Sequence, residues 1–268
     1  MNAPTRVKPV VVGVDGSKHA LRAVRWAALE AASRDTTLRL VYVIDLAEAD
    51  RQKSIDRAQR ALHKAWEAVT GTHIDVKLES EIVSGRPADC LTEESRDAAV
   101  VCVGHRGTHD TPEAPRGSTA AEIARRAPGS VAIIRRAHGG FDHRKWIIAV
   151  LDESDSATAV LKTAEDEAAW RKAPILMLEP WSHSKQPGDA RHPVRAAVQR
   201  YLEDPGNSHV QSVTLPMPAH LSNLLRQSGC IDQLVIVAGD HPELVAELTD
   251  DRTRKILRDS DCSLMFVR

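Results

Sequence analysis

"VVGVDGSKHALRAVRWAALEAASRDTTLRLV", residues 11–41, decides the fold, because the chain uses it twice. Moved onto residues 148–178 it covers "IAVLDESDSATAVLKTAEDEAAWRKAPILML" without a gap. Asp15 then falls on Asp152, Ser17 on Ser154, Ala27 on Ala164, Glu30 on Glu167, Ala31 on Ala168 and Arg34 on Arg171. The stretch opens on a short β-branched run that reads as a buried strand. Asp-Gly-Ser ends that run, and Ser17 is placed to cap a helix over 17–34. Ala20, Leu21, Val24, Ala27, Ala28 and Ala31 give the helix its apolar face, and "TLRLVYVID" (37–45) returns as a second strand.

Outward from there the first half keeps alternating. "PVVVGVD" (9–15) is the first strand, and an Ala-rich, charged helix is expected over 48–70. "IDVKLESEIVSG" gives a third strand ending at Gly85, followed by a short helix over 86–97. "AAVVCVG" (98–104) is a fourth strand, "STAAEIARRA" (118–127) a helix and "SVAIIRR" (130–136) a fifth strand. Strands that alternate with helices imply a parallel sheet built from right-handed crossovers, with helices on both faces. "AHGGFDHR" (137–144) is rich in Gly and His and reads as a linker. Later still, "DQLVIVAG" (232–239) matches "DAAVVCVG", and "CSLMFVR" (262–268) matches "GSVAIIR". The fold class is α/β, with two tandem Rossmann-like domains over 1–136 and 145–268.

Composition narrows the function. A chain of 268 residues with net charge −1 and a pI near 6.9 has no generic attraction for nucleic acid or an anionic membrane. No apolar run approaches the ~18 residues of a membrane span, and "MNAPTRVKPVVVGVDGS" has no signal-peptide core, so a cytoplasmic protein is expected. Cys90, Cys102, Cys230 and Cys262 lack ligand spacing and read as reduced thiols. The 12 histidines, among them His105, His109, His138 and His143, read as solvated loop residues, so no metal site is expected. Trp26 and Trp170 read as core or interface residues. No arrangement of Ser, His and Asp has a defensible spacing, so no catalytic residue is assigned.

Chemistry concentrates in "VCVGHRGTHDTPEAPRGSTA", residues 101–120. A buried strand ends at Gly104, the chain passes Gly107 and Gly117, and a helix begins at Ser118-Thr119. The bland reading is a surface crossing. The other is a phosphate cradle. Glycines let backbone amides approach an anion, and a helix N-terminus offers unpaired N–H groups and partial positive charge. In an open parallel sheet, ligands bind beyond the carboxyl ends of the strands, at the point where strand order reverses. Gly13, Val14 and Asp15 end the first strand there, and Asp15 is either a helix cap or an acceptor for a ribose hydroxyl. Val43 can wall an adenine, and Ser118 and Thr119 can add hydroxyls.

At this point the sequence resembles the universal stress proteins in their tandem form. The spacing Gly104-x2-Gly107-x9-Gly117-Ser118 is similar to that family's ATP-binding signature, and "VVVGVDGS" to its first strand. The resemblance implies five-stranded sheets in the order 3-2-1-4-5, of the adenine nucleotide alpha hydrolase-like kind. It also implies ATP or AMP, with Mg2+ on the nucleotide, held between strands one and four. Binding would involve Gly13, Val14, Asp15, Val43, Gly104, His105, Arg106, Gly107, Arg116, Gly117, Ser118 and Thr119. A homodimer and a stress or dormancy regulator with at most feeble ATPase or autophosphorylation activity are implied too. A nucleotide-free dimerising interaction protein and a slow ATPase stay open as alternatives. Asp110 and Glu113 place negative charge in the loop, partly offset by Arg106 and Arg116. In the repeat, Gly107 falls on Pro242 and Gly117-Ser118 on Asp250-Asp251, in a loop two residues shorter. The second domain is therefore expected to keep the fold without the nucleotide.

Overall fold

Ser17 starts its helix as expected. In a computed structural model of the chain, its Oγ accepts the N–H of Ala20 at 3.0 Å, and Gly16 before it adopts φ +83°. The positive φ, which glycine adopts without strain, helps turn the chain from strand into helix within the four residues Val14 to Ser17. The structure describes residues 7–45, 50–107, 118–135, 145–151, 156–179, 212–216, 221, 225, 232–256 and 262–268. The linker reading of 137–144 lies outside them.

The chain divides into two units, Met1–Ala137 and His138–Arg268. The first contains β1 (Val10–Gly13), α1 (Lys18–Ser33), β2 (Leu38–Ile44), α2 (Arg51–Thr70) and β3 (Leu78–Ser84). It continues through α3 (Pro87–Glu94), β4 (Val100–Gly104), α4 (Ser118–Arg126) and β5 (Val131–Ile134). The strands run parallel in the order β3-β2-β1-β4-β5. Val10, Val11, Val12, Val100, Val101 and Cys102 are fully buried, which is why both central strands read as continuous apolar runs. β3 lies at the edge and most of its residues are exposed.

The second unit contains β6 (Lys145–Val150), α5 (Ala157–Arg171), β7 (Ile175–Glu179), β8 (Ser212–Pro216) and β9 (Asp232–Ala238). Two short helices, α6 (Pro242–Thr249) and α7 (Asp251–Ile256), precede β10 (Cys262–Val267). Its order, β8-β7-β6-β9-β10, repeats that of the first unit.

Two internal details repeat with it. Helix α1 stops on Asp35 in the left-handed region (φ +48°), and Thr36 N–H reaches back to Ala31 O at 2.9 Å. Helix α5 stops on Lys172 (φ +50°), and Ala173 N–H reaches Ala168 O at 3.0 Å. The aligned Glu–Arg pairs also form ion pairs. Arg34 Nε donates to Glu30 Oε1 and Arg171 Nε to Glu167 Oε2, each at 2.7 Å, with both carboxylates buried. One turn apart on a helix, these side chains are natural neighbours.

The tryptophans part company. Trp26 is buried, but Trp170 is 44% exposed. It lies in the last turn of α5, on the outer stripe with exposed Lys162, Asp166 and Ala169, so of the core and interface readings of Trp170 the core one is corrected. Cys102 and Cys262 are buried thiols and Cys90 a half-buried one, none of them in a disulfide.

Candidate functional site

β1 and β4 are neighbours, and the strand order reverses between them. The register Val12↔Cys102 brings Gly13 and Gly104, and the segments that follow them, to one edge of the sheet. Each glycine is there because something else occupies the space of a side chain. A Cβ on Gly104 would lie 2.7 Å from the carbonyl carbon of His19 and 2.9 Å from Ala20 N, so only glycine lets β4 end against the first turn of α1. A Cβ on Gly13 would meet Leu91 Cδ1 at 3.0 Å.

Past the strands, the two segments touch. Asp15 Oδ1 accepts the N–H of Ser17 at 2.9 Å, and a Cβ on exposed Gly107 would lie 2.9 Å from Asp15 Oδ2. Ser17 does double duty, since its Oγ caps α1 and also donates to the carbonyl of Arg106 at 3.4 Å. Asp15 is therefore both a turn residue and a carboxylate facing the glycine segment.

His105 turns the other way. Its backbone N–H donates to Ile134 O at 3.1 Å, its ring Nδ1 lies 3.4 Å from the same oxygen, and it packs edge-to-face with the His19 ring, the centroids 4.4 Å apart. Burial, followed by the nearby Arg135, His19 and Arg106 charges, lowers its pKa to about 3, so the ring is neutral near pH 7. A neutral ring bonded to β5 offers an anion no charge. Its backbone N–H is already committed to Ile134 O, and this packing corrects the expectation of a solvated loop residue.

Val14 N–H donates to Val41 O at 2.8 Å, which carries β1 along β2 toward half-buried Val43. Beside Val43, Gly85 N–H donates to Ile44 O at 3.0 Å and ties the end of β3 to the same edge. Ser118 and Thr119 open α4, with Thr119 half-buried. Arg116 and Gly117, with Asp110, Glu113 and His109, lie outside the described residues.

Sequence reasoning missed the His19–His105 contact. In the repeat these positions align with Ser156 and Asp240. Ser156 Oγ donates to Asp240 Oδ2 at 2.5 Å, so both units latch the first turn of a helix to the residue after a strand-end glycine.

The second unit departs further than its sequence suggested. The segment read as a shortened loop is helical. Pro242 occupies the first turn of α6, and His241 Nδ1 caps that helix by accepting Leu244 N–H at 3.3 Å. Asp250 Oδ1 accepts Thr253 N–H at 2.5 Å and caps α7. Arg268 Nη2 donates to Gly239 O at 2.7 Å and lies across that glycine. Asp152 lies outside the described residues.

Among the described residues, no cluster of three or more His, Cys, Asp or Glu side chains could hold a metal, and no helix is long and apolar enough to cross a membrane.

Comparison with known proteins agrees with this architecture. Residues 6–135 match the model of the universal stress protein family. Universal stress protein Rv2028c of Mycobacterium tuberculosis is 32% identical over 277 residues, covering 100% of this chain and 98% of its own. Universal stress protein Rv3134c of the same organism is 41% identical over 178 residues, 65% of this chain and 66% of that one. A crystal structure of a universal stress protein from Archaeoglobus fulgidus DSM 4304 shares the fold at a TM-score of 0.68 and 14% identity, covering 98% of this chain and 99% of that one. With a relative at this identity along the whole chain and the same fold at both ends, the chain belongs to the universal stress protein family.

Proposed function

We propose that the first unit binds an adenine nucleotide, ATP or AMP, and that occupancy rather than turnover is its output as a stress or dormancy regulator. The observation that carries the reading is the approach of Gly107 to Asp15, which sets a glycine-bearing crossover against a carboxylate at the point where strand order reverses. In this reading Gly104, Arg106 and Gly107, together with Arg116, Gly117, Ser118 and Thr119, surround the phosphates with amides, hydroxyls and positive charge. Gly13, Val14 and Asp15 face the ribose, and Val43 faces the base. Magnesium, in this reading, enters on the phosphates. A homodimer comes to this reading through the family resemblance, and the expected cytoplasmic location is kept as part of it.

The second unit is read as a fold-preserving copy without a nucleotide. Support comes from α6, whose residues align with the glycine crossover of the first unit, and from Asp250 at the start of α7, a carboxylate that opposes an anion there. Isothermal titration of the full chain with ATP and AMP, with and without magnesium, tests both halves. One nucleotide per chain is expected. No heat, with no nucleotide released on denaturing the purified protein, would overturn the proposal.

A further inference from the structure

Helix α4 supplies Ser118 and Thr119. Its buried face is Ala120, Ala121, Ile123 and Ala124. Alanines bury little area and raise only low ridges, so such a face slides or rotates more easily than one built from larger side chains.

Charged groups hold it laterally. Arg86 Nη1 donates to Glu122 Oε1 at 2.8 Å and Nη2 to Oε2 at 2.6 Å, a two-point fork onto the second turn of α4. Arg126 donates to the same carboxylate and, at 2.9 Å, to Asp89 in the first turn of α3. The root of Arg86 is itself fixed. It follows Gly85, which has φ +151° and donates its N–H to Ile44 O, and it precedes Pro87 at the start of α3. An unbroken path of contacts thus runs from the end of β2, beside Val43, through Arg86 to α4.

We infer that Arg86 is a positioning residue for the phosphate end of the crevice, an inference that rests on the nucleotide reading above. Its fork onto Glu122 sets the height of the Ser118–Thr119 turn relative to the base end. Exposed ion pairs add little to global stability. A bidentate guanidinium–carboxylate pair nevertheless fixes orientation in a way a lysine ammonium does not.

The test titrates the full chain, as wild type, Arg86→Lys and Arg86→Gln, with ATP and separately with adenosine, alongside thermal melts. Lysine keeps the charge and loses the fork. The expected result is a fall in ATP affinity of about three- to tenfold in R86K, at least as large in R86Q, with adenosine affinity and Tm unchanged. If R86K matches wild type while R86Q weakens, charge alone is at work and the positioning role is overturned. It is equally overturned if ATP and adenosine weaken together, or if neither variant changes. Should R86Q fail to fold, R86K decides. Wild-type protein that binds neither ATP nor adenosine removes the nucleotide reading itself, and the positioning role with it.

Discussion

A side chain on Gly107 would put its first carbon 2.9 Å from Oδ2 of Asp15, whose other oxygen is already held by the Ser17 N–H. The carboxylate cannot swing aside without giving up that bond. Gly107→Ala is therefore expected to displace Asp15 and lower ATP affinity about tenfold, close to 1.4 kcal/mol. Gly107 is exposed, so the melting temperature should stay within a degree or two of wild type. Titration calorimetry beside a thermal melt separates the two effects.

Asp35 and Lys172 end α1 and α5 with φ of +48° and +50°. A side chain in the left-handed region costs about 1–2 kcal/mol, and glycine is the usual solution at such a helix end. Asp35→Gly and Lys172→Gly should each raise unfolding stability by about 0.5–1 kcal/mol, because glycine's extra freedom in the unfolded chain offsets part of the relief. Denaturant midpoints at constant m-value are the readout.

His105 links stability to acid. Its folded pKa, about 3, lies below the ordinary 6.5, so folding favours the neutral ring. The contribution is fully present above pH 6.5 and is lost progressively as pH falls from 6.5 toward 3. At pH 5 an unfolded chain that protonates freely gains up to about 2 kcal/mol over the folded one. Arg135, Arg106 and His19 face the ring and oppose its protonation. Replacement by Gln should flatten stability between pH 7 and 5, as followed by chemical denaturation at each pH.

Arg171 and Arg34 hold equivalent carboxylates in unequal settings. The Arg171 side chain is 8% exposed and that of Arg34 33%. Removing the buried guanidinium strips Glu167 of its Nε donor in a drier place, so Arg171→Leu is expected to cost about 3 kcal/mol and Arg34→Leu less. The double change Glu167→Leu with Arg171→Leu should recover most of the loss, since an apolar pair often replaces a buried ion pair with little penalty. Urea unfolding of the three variants gives the ranking.

Much of this was legible in residues 11–41. A β-branched run, an Asp-Gly-Ser stop and an alanine face with helical spacing leave one local answer, and the Glu30–Arg34 pair recurs as Glu167–Arg171 because one turn of helix forces the meeting. Gly104 also falls at the end of β4, as read, and Gly107 lies against Asp15. The edge contact of His19 with His105 was not legible, because it joins the first turn of a helix to a strand end 86 positions away, across a crossing that no periodicity records. The helix over Pro242–Thr249 carried a signal that went unread. Pro242 opens it, His241 caps it, and Leu244, Val245 and Leu248 mark one apolar face. For Trp170 the core alternative fails because its outward placement depends on which stripe of α5 its last turn presents.

The left-handed stop shared by Asp35 and Lys172 has an evolutionary corollary. Two chemically opposite side chains endure the same awkward backbone angle, so what the duplication handed down is a bend in the main chain that selection has tuned around without removing. A scaffold so indifferent to the identity of its corner residues is open to transplantation, and splicing the glycine crossover of the first half into the second would ask whether ancestry left a latent receptor there.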